Sequence, residues 1–227
     1  MRKPHTEPSY DADLERIRAL IGSMSRLVAW MLDNGLKSLA DRDPAAAAQV
    51  AARDPAVNAL EVEIDERCLK LLARWQPVAS DLRFIGATLK LVTDLERVGD
   101  HCANICDRVA EIYTGPPAPV AALIQAVPAL LRDAFAAWQA EDVWLATQVI
   151  DRGGRIDTLV RDVLKDGLER SRHDAAHIAA SLSWHEVTGY LHRICAHATN
   201  IAELVIFLVR GQDVRHHGRL PEAEGRP

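Results

Sequence analysis

An apolar stripe occurs twice in this chain, and the second copy lies 96 residues after the first. Both copies alternate spacings of four and three residues over seven positions, which is typical of the inward face of a long helix in a bundle. The first copy consists of Leu91, Leu95, Val98, Cys102, Ile105, Val109 and Ile112, and the second of Val187, Leu191, Ile194, Ala198, Ile201, Val205 and Leu208. A duplicated helical unit therefore constrains the architecture.

The remaining pattern predicts an all-α protein, because no alternating run of β-branched residues bounded by turn signals indicates a strand. Six helices are expected, at 11–41, 44–75 with a kink at Asp54-Pro55, 80–113, 119–140, 142–171 and 174–210. They predict two tandem antiparallel three-helix bundles related by pseudo-twofold symmetry. The first would span 11–114 and the second 119–211, with a proline-rich linker at 115–118, an N-terminal extension at 1–10 and a mobile tail at 212–227.

Composition narrows the class of protein. The 227 residues are 48% hydrophobic, and the net charge of −5 argues against a nucleic-acid module that neutralises phosphates. The longest run of aliphatic and aromatic residues, Leu204–Val209, is too short to span a bilayer, and the N-terminus lacks the apolar core of a signal peptide. We expect a cytoplasmic protein without membrane insertion. The four cysteines form no Cys-x-x-Cys motif, which favours buried thiols over zinc or redox chemistry.

Carboxylates are predicted to converge between the second and third helices. If these helices are antiparallel about the turn at 76–77, Glu96 lies level with Asn58, and Asp100 with Asp54. Glu61 is about three residues off level with Glu96, roughly 4.5 Å along the axis. Clustered oxygen ligands suit magnesium, manganese, iron or calcium, so these five residues form a candidate metal site. The alternative is a solvated acidic helix face.

The second half repeats this pattern only in part. Asp157 would face His192, and Cys195 or His197 could help to hold a soft or borderline ion there. The other carboxylates of the first half have no acidic counterparts. A degenerate second site is therefore the preferred interpretation.

Three motifs carry a resemblance to a known family. They are Gln76-Pro-Val-Ala-Ser-Asp-Leu-Arg83, Asp94-Leu-Glu-Arg-Val-Gly-Asp-His101 and Arg193-x-x-x-His-x-x-Asn-Ile201, and the segment 57–66 also matches. Over residues 10–211 the chain resembles the PhoU family of phosphate-signalling regulators.

The resemblance implies tandem three-helix bundles, each with a surface Glu/Asp-x-x-x-Asp motif that binds iron, zinc, manganese or magnesium, as one ion or as a multinuclear cluster. In the first half the motif is Glu96 with Asp100, and its counterpart is Asp54 with Asn58, where Asn58 departs from the usual Asp. The second half lacks acidic residues at 192 and 196, which puts a second metal in doubt.

The resemblance also implies a role. The chain would be an adapter between the ATPase subunit of a phosphate ABC transporter and a sensor histidine kinase, and it would repress the phosphate-starvation response. A homodimer that reaches the membrane only through its partners is expected. Candidate partner contacts are Asp81, Arg83, Arg97 and Arg193. Their alternative roles are local ion pairing for the two later arginines, helix-dipole placement for Asp81 and solvation for Arg83.

Two classes of metalloenzyme are disfavoured because the chain lacks their motifs. A ferritin-like di-metal enzyme needs Glu-x-x-His on two helices, and no Glu in the chain has His at that spacing. His185-Glu186 is followed by Gly189 where a zinc protease needs its second His. The sequence therefore predicts a protein that is not an enzyme, while a metal-free helical scaffold remains open.

Overall fold

The computed structural model describes residues 8–173 and 178–214, and every regular element in these ranges is helical. There are seven α-helices and one 3₁₀ turn in this described part: α1 Pro8–Asp41, α2 Pro44–Ala51, α3 Asp54–Trp75, α4 Ala79–Asp107, the 3₁₀ turn Val109–Glu111, α5 Ala118–Ala140, α6 Val143–His173 and α7 Ile178–Arg210. The predicted all-α class is confirmed.

The predicted kink at Asp54-Pro55 is a complete break between α2 and α3. Asp43 caps α2 by accepting hydrogen bonds from the backbone N–H groups of Ala45 and Ala46. Pro55 then lies in the first turn of α3, where a missing N–H costs nothing. A single long helix was expected here, but two are present.

Element ends differ elsewhere too. The helix expected to reach Tyr113 ends at Asp107 and continues only as the 3₁₀ turn. The helix expected from residue 174 is described from Ile178, since 174–177 lie outside the described residues. In the described part of the predicted tail, Gln212 and Asp213 are exposed, while Val214 is buried and packs on the bundle. Residues 215–227 and 1–7 lie outside the described part.

Helix packing follows the duplication. α1 packs on α2, α3 and α4 in the first half, and α5, α6 and α7 pack on one another in the second. The two halves meet mainly where α4 lies against α7, with a lesser contact between α1 and α5. All fourteen positions of the repeated stripe are at most 4% exposed. The stripe is therefore the core of both halves, as the spacing predicted.

One close helix contact shows how the two halves diverged. A Cβ on Gly99 would approach Val57 of α3 to 3.2 Å. Adding the repeat offset of 96 maps Gly99 onto Cys195 of α7 and Val57 onto Gly153 of α6. In the second half the glycine thus lies on α6, and a Cβ added to it would lie 3.8 Å from Cys195 Sγ. The bulky and the small residue have exchanged helices, which conserves volume at a tightly packed contact.

All four cysteines are free and buried, as expected. Burial raises the pKa of Cys68 and of Cys195 to about 12, so both thiols are protonated at neutral pH. These side chains act as small apolar groups.

Two helices, α5 and the Leu182–Arg210 part of α7, are long and apolar enough to cross a membrane by length and composition. About half of each apolar window is buried inside the bundle. Since α5 and α7 pack on each other and on α6, their apolar character is accounted for by core packing.

Candidate functional site

The five predicted metal ligands meet along one groove, which we call the acidic groove: Asp54, Asn58 and Glu61 on α3, and Glu96 and Asp100 on α4. Asn58 Nδ2 donates a hydrogen bond to Asp54 Oδ2 at 3.3 Å, because the two residues lie one helical turn apart. Burial raises the pKa of Asp54, and the charge of Asp100 on the facing helix raises it further. The structure thus places Asp54 near enough to Asp100 for their charges to interact, at the level that the antiparallel register predicted.

The carboxylates of the acidic groove are electrostatically strained. Burial is the main cause that raises the pKa of Asp54, Glu61 and Glu96, and neighbouring negative charge raises each further. The nearest cation is Arg97, whose guanidinium lies 3.5 Å from a carboxylate oxygen of Glu96 and 3.5 Å from one of Asp100. Arg97 is more than half exposed, so solvent screens its contribution.

Two oxygens in the groove have no hydrogen-bond partner. Asp54 Oδ1 and Asn58 Oδ1 are both shielded from solvent and unpaired, and an unsatisfied buried acceptor is costly unless a cation or a donor meets it. The donor set therefore has the chemistry of a hard-cation site. In the described part of the chain, however, no three His, Cys, Asp or Glu side chains lie close enough to share an ion. Metal binding would require side-chain rotation within the groove.

The second half holds only a pair. His192 Nε2 and Asp157 Oδ1 lie 2.9 Å apart on the surface, as the register predicted. Cys195 instead points at the backbone oxygen of Gly153, 3.9 Å away, and His197 contacts the other half. The expectation that Cys195 or His197 helps to hold an ion beside His192 is therefore not supported, because both side chains are turned into helix contacts.

A polar cluster between the halves was missed by the sequence analysis. Asp94 Oδ1 of α4 accepts hydrogen bonds from His197 Nδ1 at 2.8 Å and from Asn200 Nδ2 at 3.1 Å, both on α7. The equivalent contact across the pseudo-twofold axis pairs the rings of Tyr190 and His101, 5.9 Å apart. We call these five residues the inter-half cluster. At the same position of the repeat, the first half has the carboxylate of Asp94 and the second half has the aromatic ring of Tyr190.

His101 is partly buried, like the other four members of the inter-half cluster. Burial lowers the pKa of His101 to about 4, helped by the positive charge of His197 and Arg193. Its ring lies 5.7 Å from that of His197, and its Nδ1 has no hydrogen-bond partner. His101 is therefore neutral at physiological pH. The signal for this cluster was present in the repeat, since both histidines occupy the same position of the two copies.

The four candidate partner residues have different environments. Asp81 is 7% exposed and accepts a hydrogen bond from the Tyr10 hydroxyl at 3.0 Å. Arg83 packs near Gly211, with its Nε shielded from solvent. Arg193 is exposed, and its guanidinium lies 5.9 Å from the centre of the Tyr190 ring. Exposed Arg193 and Arg97 are thus more accessible to a partner than buried Asp81.

The chain was compared with known proteins. The family model of the PhoU domain matches residues 21–109 and 120–205, one copy on each side of the linker. The chain belongs to the PhoU family. It is 36% identical to the phosphate-specific transport system accessory protein PhoU homolog of Pseudomonas putida, over 94% of this chain and 86% of that protein. It is 28% identical to the accessory protein PhoU of Escherichia coli, over 94% of this chain and 90% of that protein.

Solved PhoU structures share the fold. The crystal structure of PhoU from Pseudomonas aeruginosa aligns with a TM-score of 0.86 at 33% identity, covering 89% of this chain and all of that one. A phosphate transport system regulatory protein PhoU from Streptococcus pneumoniae aligns with a TM-score of 0.84 at 25% identity, over 90% of this chain and 99% of that one. The tandem helical architecture is therefore that of the PhoU family.

Proposed function

We propose that this chain is a cytoplasmic adapter that couples a phosphate ABC transporter to its sensor histidine kinase. It keeps the phosphate-starvation response off when phosphate is plentiful, and it catalyses no reaction. The observation that carries the proposal is the match along nearly the whole chain to accessory proteins of phosphate transport. The helical surface is suited to contacting proteins, and the partners are the kinase and the ATPase subunit. Self-association as a homodimer is part of this proposal.

We propose further that the acidic groove holds a divalent or trivalent metal ion, such as iron, manganese, zinc or magnesium. Two observations support it: the unpaired, shielded oxygens of Asp54 and Asn58, and the raised pKa of Asp54, Glu61 and Glu96. A cation would relieve both the repulsion and the missing hydrogen bonds. Its role would be structural, since it would join α3 to α4 at the surface. With Asn58 in place of an acid, one ion is favoured over a cluster.

The regulatory proposal is tested by deleting the gene and measuring a phosphate-starvation reporter in phosphate-rich medium. We expect the reporter to be strongly induced in the deletion strain and repressed again by the wild-type gene on a plasmid. A reporter that stays silent in the deletion strain contradicts the adapter function, whatever the metal content.

The metal proposal has its own test. Purified protein is analysed for bound metals beside the double variant Glu96→Ala/Asp100→Ala, with Asp151→Ala/Asp162→Ala on the exposed face of α6 as a matched control. We expect metal in the wild type and the control, and loss in the acidic-groove variant. Equal metal in all three proteins would mean that the ion lies elsewhere.

A metal-free adapter is the second candidate. The observation that favours it is that, among the described residues, no three acidic, His or Cys side chains already converge on one point. If the purified wild type holds no metal and the Glu96→Ala/Asp100→Ala variant still represses the reporter, the metal-free adapter is the correct assignment.

A further inference from the structure

A groove of about 770 Å³ runs between α1 and α5, where the two halves meet. Its α1 wall extends from Glu15 to Ala29, about 21 Å or four helical turns at 1.5 Å per residue. Phe84 of α4 and Leu208 of α7 line its floor. We call it the inter-half groove. It lies apart from the acidic groove, because it contains no residue from α3.

Apolar side chains line the floor of the inter-half groove, and small residues line its walls. Trp138 and Phe135 of α5 join Phe84 along the bottom, with Phe135 only partly buried. Exposed alanines face the groove from both sides, Ala19 on α1 and Ala136 on α5. An elongated apolar trough between two helices is the shape into which a third helix packs. The volume accommodates several side chains of such a helix, but not a folded domain.

The charged side chains at the rim of the inter-half groove favour a partner with an acidic side chain. The lining contains three arginines and two glutamates, whereas the whole chain carries a net charge of −5. Arg18 pairs with Glu15 at 2.6 Å, and Arg132 with Asp33 at 2.9 Å. The third rim arginine has no such carboxylate.

That third arginine is Arg26. Within the described part of the chain its guanidinium donates a hydrogen bond to the hydroxyl of Ser23, at 3.1 Å, and forms no ion pair. A partner carboxylate beside Arg26 would form the ion pair that this arginine lacks, while a basic side chain at the same place would be repelled by its guanidinium group.

We infer that the inter-half groove docks an amphipathic helix of a protein partner, with apolar side chains on the floor and an acidic side chain beside Arg26. This inference rests on the proposed adapter function and assigns it a surface. Because both halves build the groove, docking there would hold the two repeats together.

The test fills the groove without disturbing the core. Ala136→Trp adds bulk at an exposed position of the groove, and Ala73→Trp adds the same bulk at an exposed position of α3 outside it. Binding to the purified cytoplasmic portion of the sensor kinase and to the purified ATPase subunit is measured by calorimetry. We expect a rise in Kd of about tenfold or more for Ala136→Trp with one of these partners, and about twofold or less for the control. Thermal melting confirms that both variants fold.

The charge is tested separately. Arg26→Glu is compared with Arg155→Glu, which reverses an exposed charge on α6. We expect Arg26→Glu to raise Kd by roughly three- to tenfold, mostly through slower association, with a smaller effect at high salt.

The outcomes separate this inference from the function on which it rests. If neither partner binds the wild type, the adapter proposal fails and the docking site falls with it. If a partner binds wild type and Ala136→Trp equally well, the adapter stands and the inter-half groove is not its docking site. If Ala136→Trp abolishes self-association in sedimentation and leaves partner affinity unchanged, a second copy occupies the groove and the inference is overturned.

Discussion

Removing the Asp94 carboxylate should weaken the contact between the two halves. Asp94 Oδ1 accepts from His197 and Asn200, and the Asp94 and His197 side chains are only 14% and 20% exposed. A hydrogen bond to a charged acceptor contributes about 1.5–3 kcal/mol. Two such bonds, reduced by roughly half for partial exposure, predict that Asp94→Ala lowers the free energy of unfolding by about 1.5–3 kcal/mol. For a chain of this length the melting temperature should fall by roughly 3–12 °C.

The assay is urea unfolding in the presence of a chelator, so that metal binding at neighbouring Glu96 does not contribute. The matched control is Asp133→Ala, which removes a more solvent-accessible ion pair, that to Arg152 within the second half, and should cost less than about 1 kcal/mol. A double-mutant cycle with His197→Ala isolates the pair, and we expect a coupling energy of about 1–2 kcal/mol. Equal losses for Asp94→Ala and Asp133→Ala, or a coupling energy near zero, would refute the idea that this cluster joins the halves.

Three further predictions follow from the same packing and electrostatics. Gly153→Ala should destabilise the protein by about 1–3 kcal/mol, since its Cβ would lie 2.5 Å from Thr199 Oγ1. Gly86→Ala has open space around it and should instead stabilise by about 0.5–1 kcal/mol in urea unfolding; the same sign for both would contradict the packing. In metal-free protein, burial and the charge of Asp100 raise the pKa of Asp54, so the folded protein binds this proton more tightly than the unfolded chain does. The resulting stability is fully present below the unfolded pKa and is lost as pH rises through the folded pKa. Asp100→Asn should therefore gain stability over wild type as pH rises, and a pH-independent difference in urea midpoints would count against this. All four thiols are buried and have raised pKa values: Cys68, Cys102, Cys106 and Cys195. Native protein should therefore react with a thiol reagent at pH 8 only as fast as it unfolds. Rapid labelling of the native protein would contradict this prediction.

Most of the helical framework was predictable because helix periodicity is a local property. The repeated stripe fixed which face of α4 and α7 is buried, and all of its positions are in the core. Helix ends were less predictable. The break before Asp54 depends on the Asp43 cap and Pro55, which compete with the apolar pattern that runs through this segment.

The residues of the acidic groove could be predicted from the sequence. When a short turn joins two antiparallel helices, residues that lie level with each other have numbers with a constant sum. The same arithmetic predicted the pair of Asp157 with His192, now 2.9 Å apart. It failed for His197, since register within one half carries no information about what the other half offers, and for Cys195, whose thiol faces the backbone oxygen of Gly153 in its own half. His197 contacts Asp94, 103 positions away in the chain.

The sequence by itself determined the helical class, the duplication, the members of the acidic groove and the pairing of Asp157 with His192, because each of these depends on spacing along one or two neighbouring helices. Tertiary structure alone decided how the halves meet, and with it the inter-half cluster and the groove between α1 and α5. Those features depend on the crossing of α4 with α7, which is set by side-chain shape over a whole interface. No periodicity in a single helix encodes that crossing.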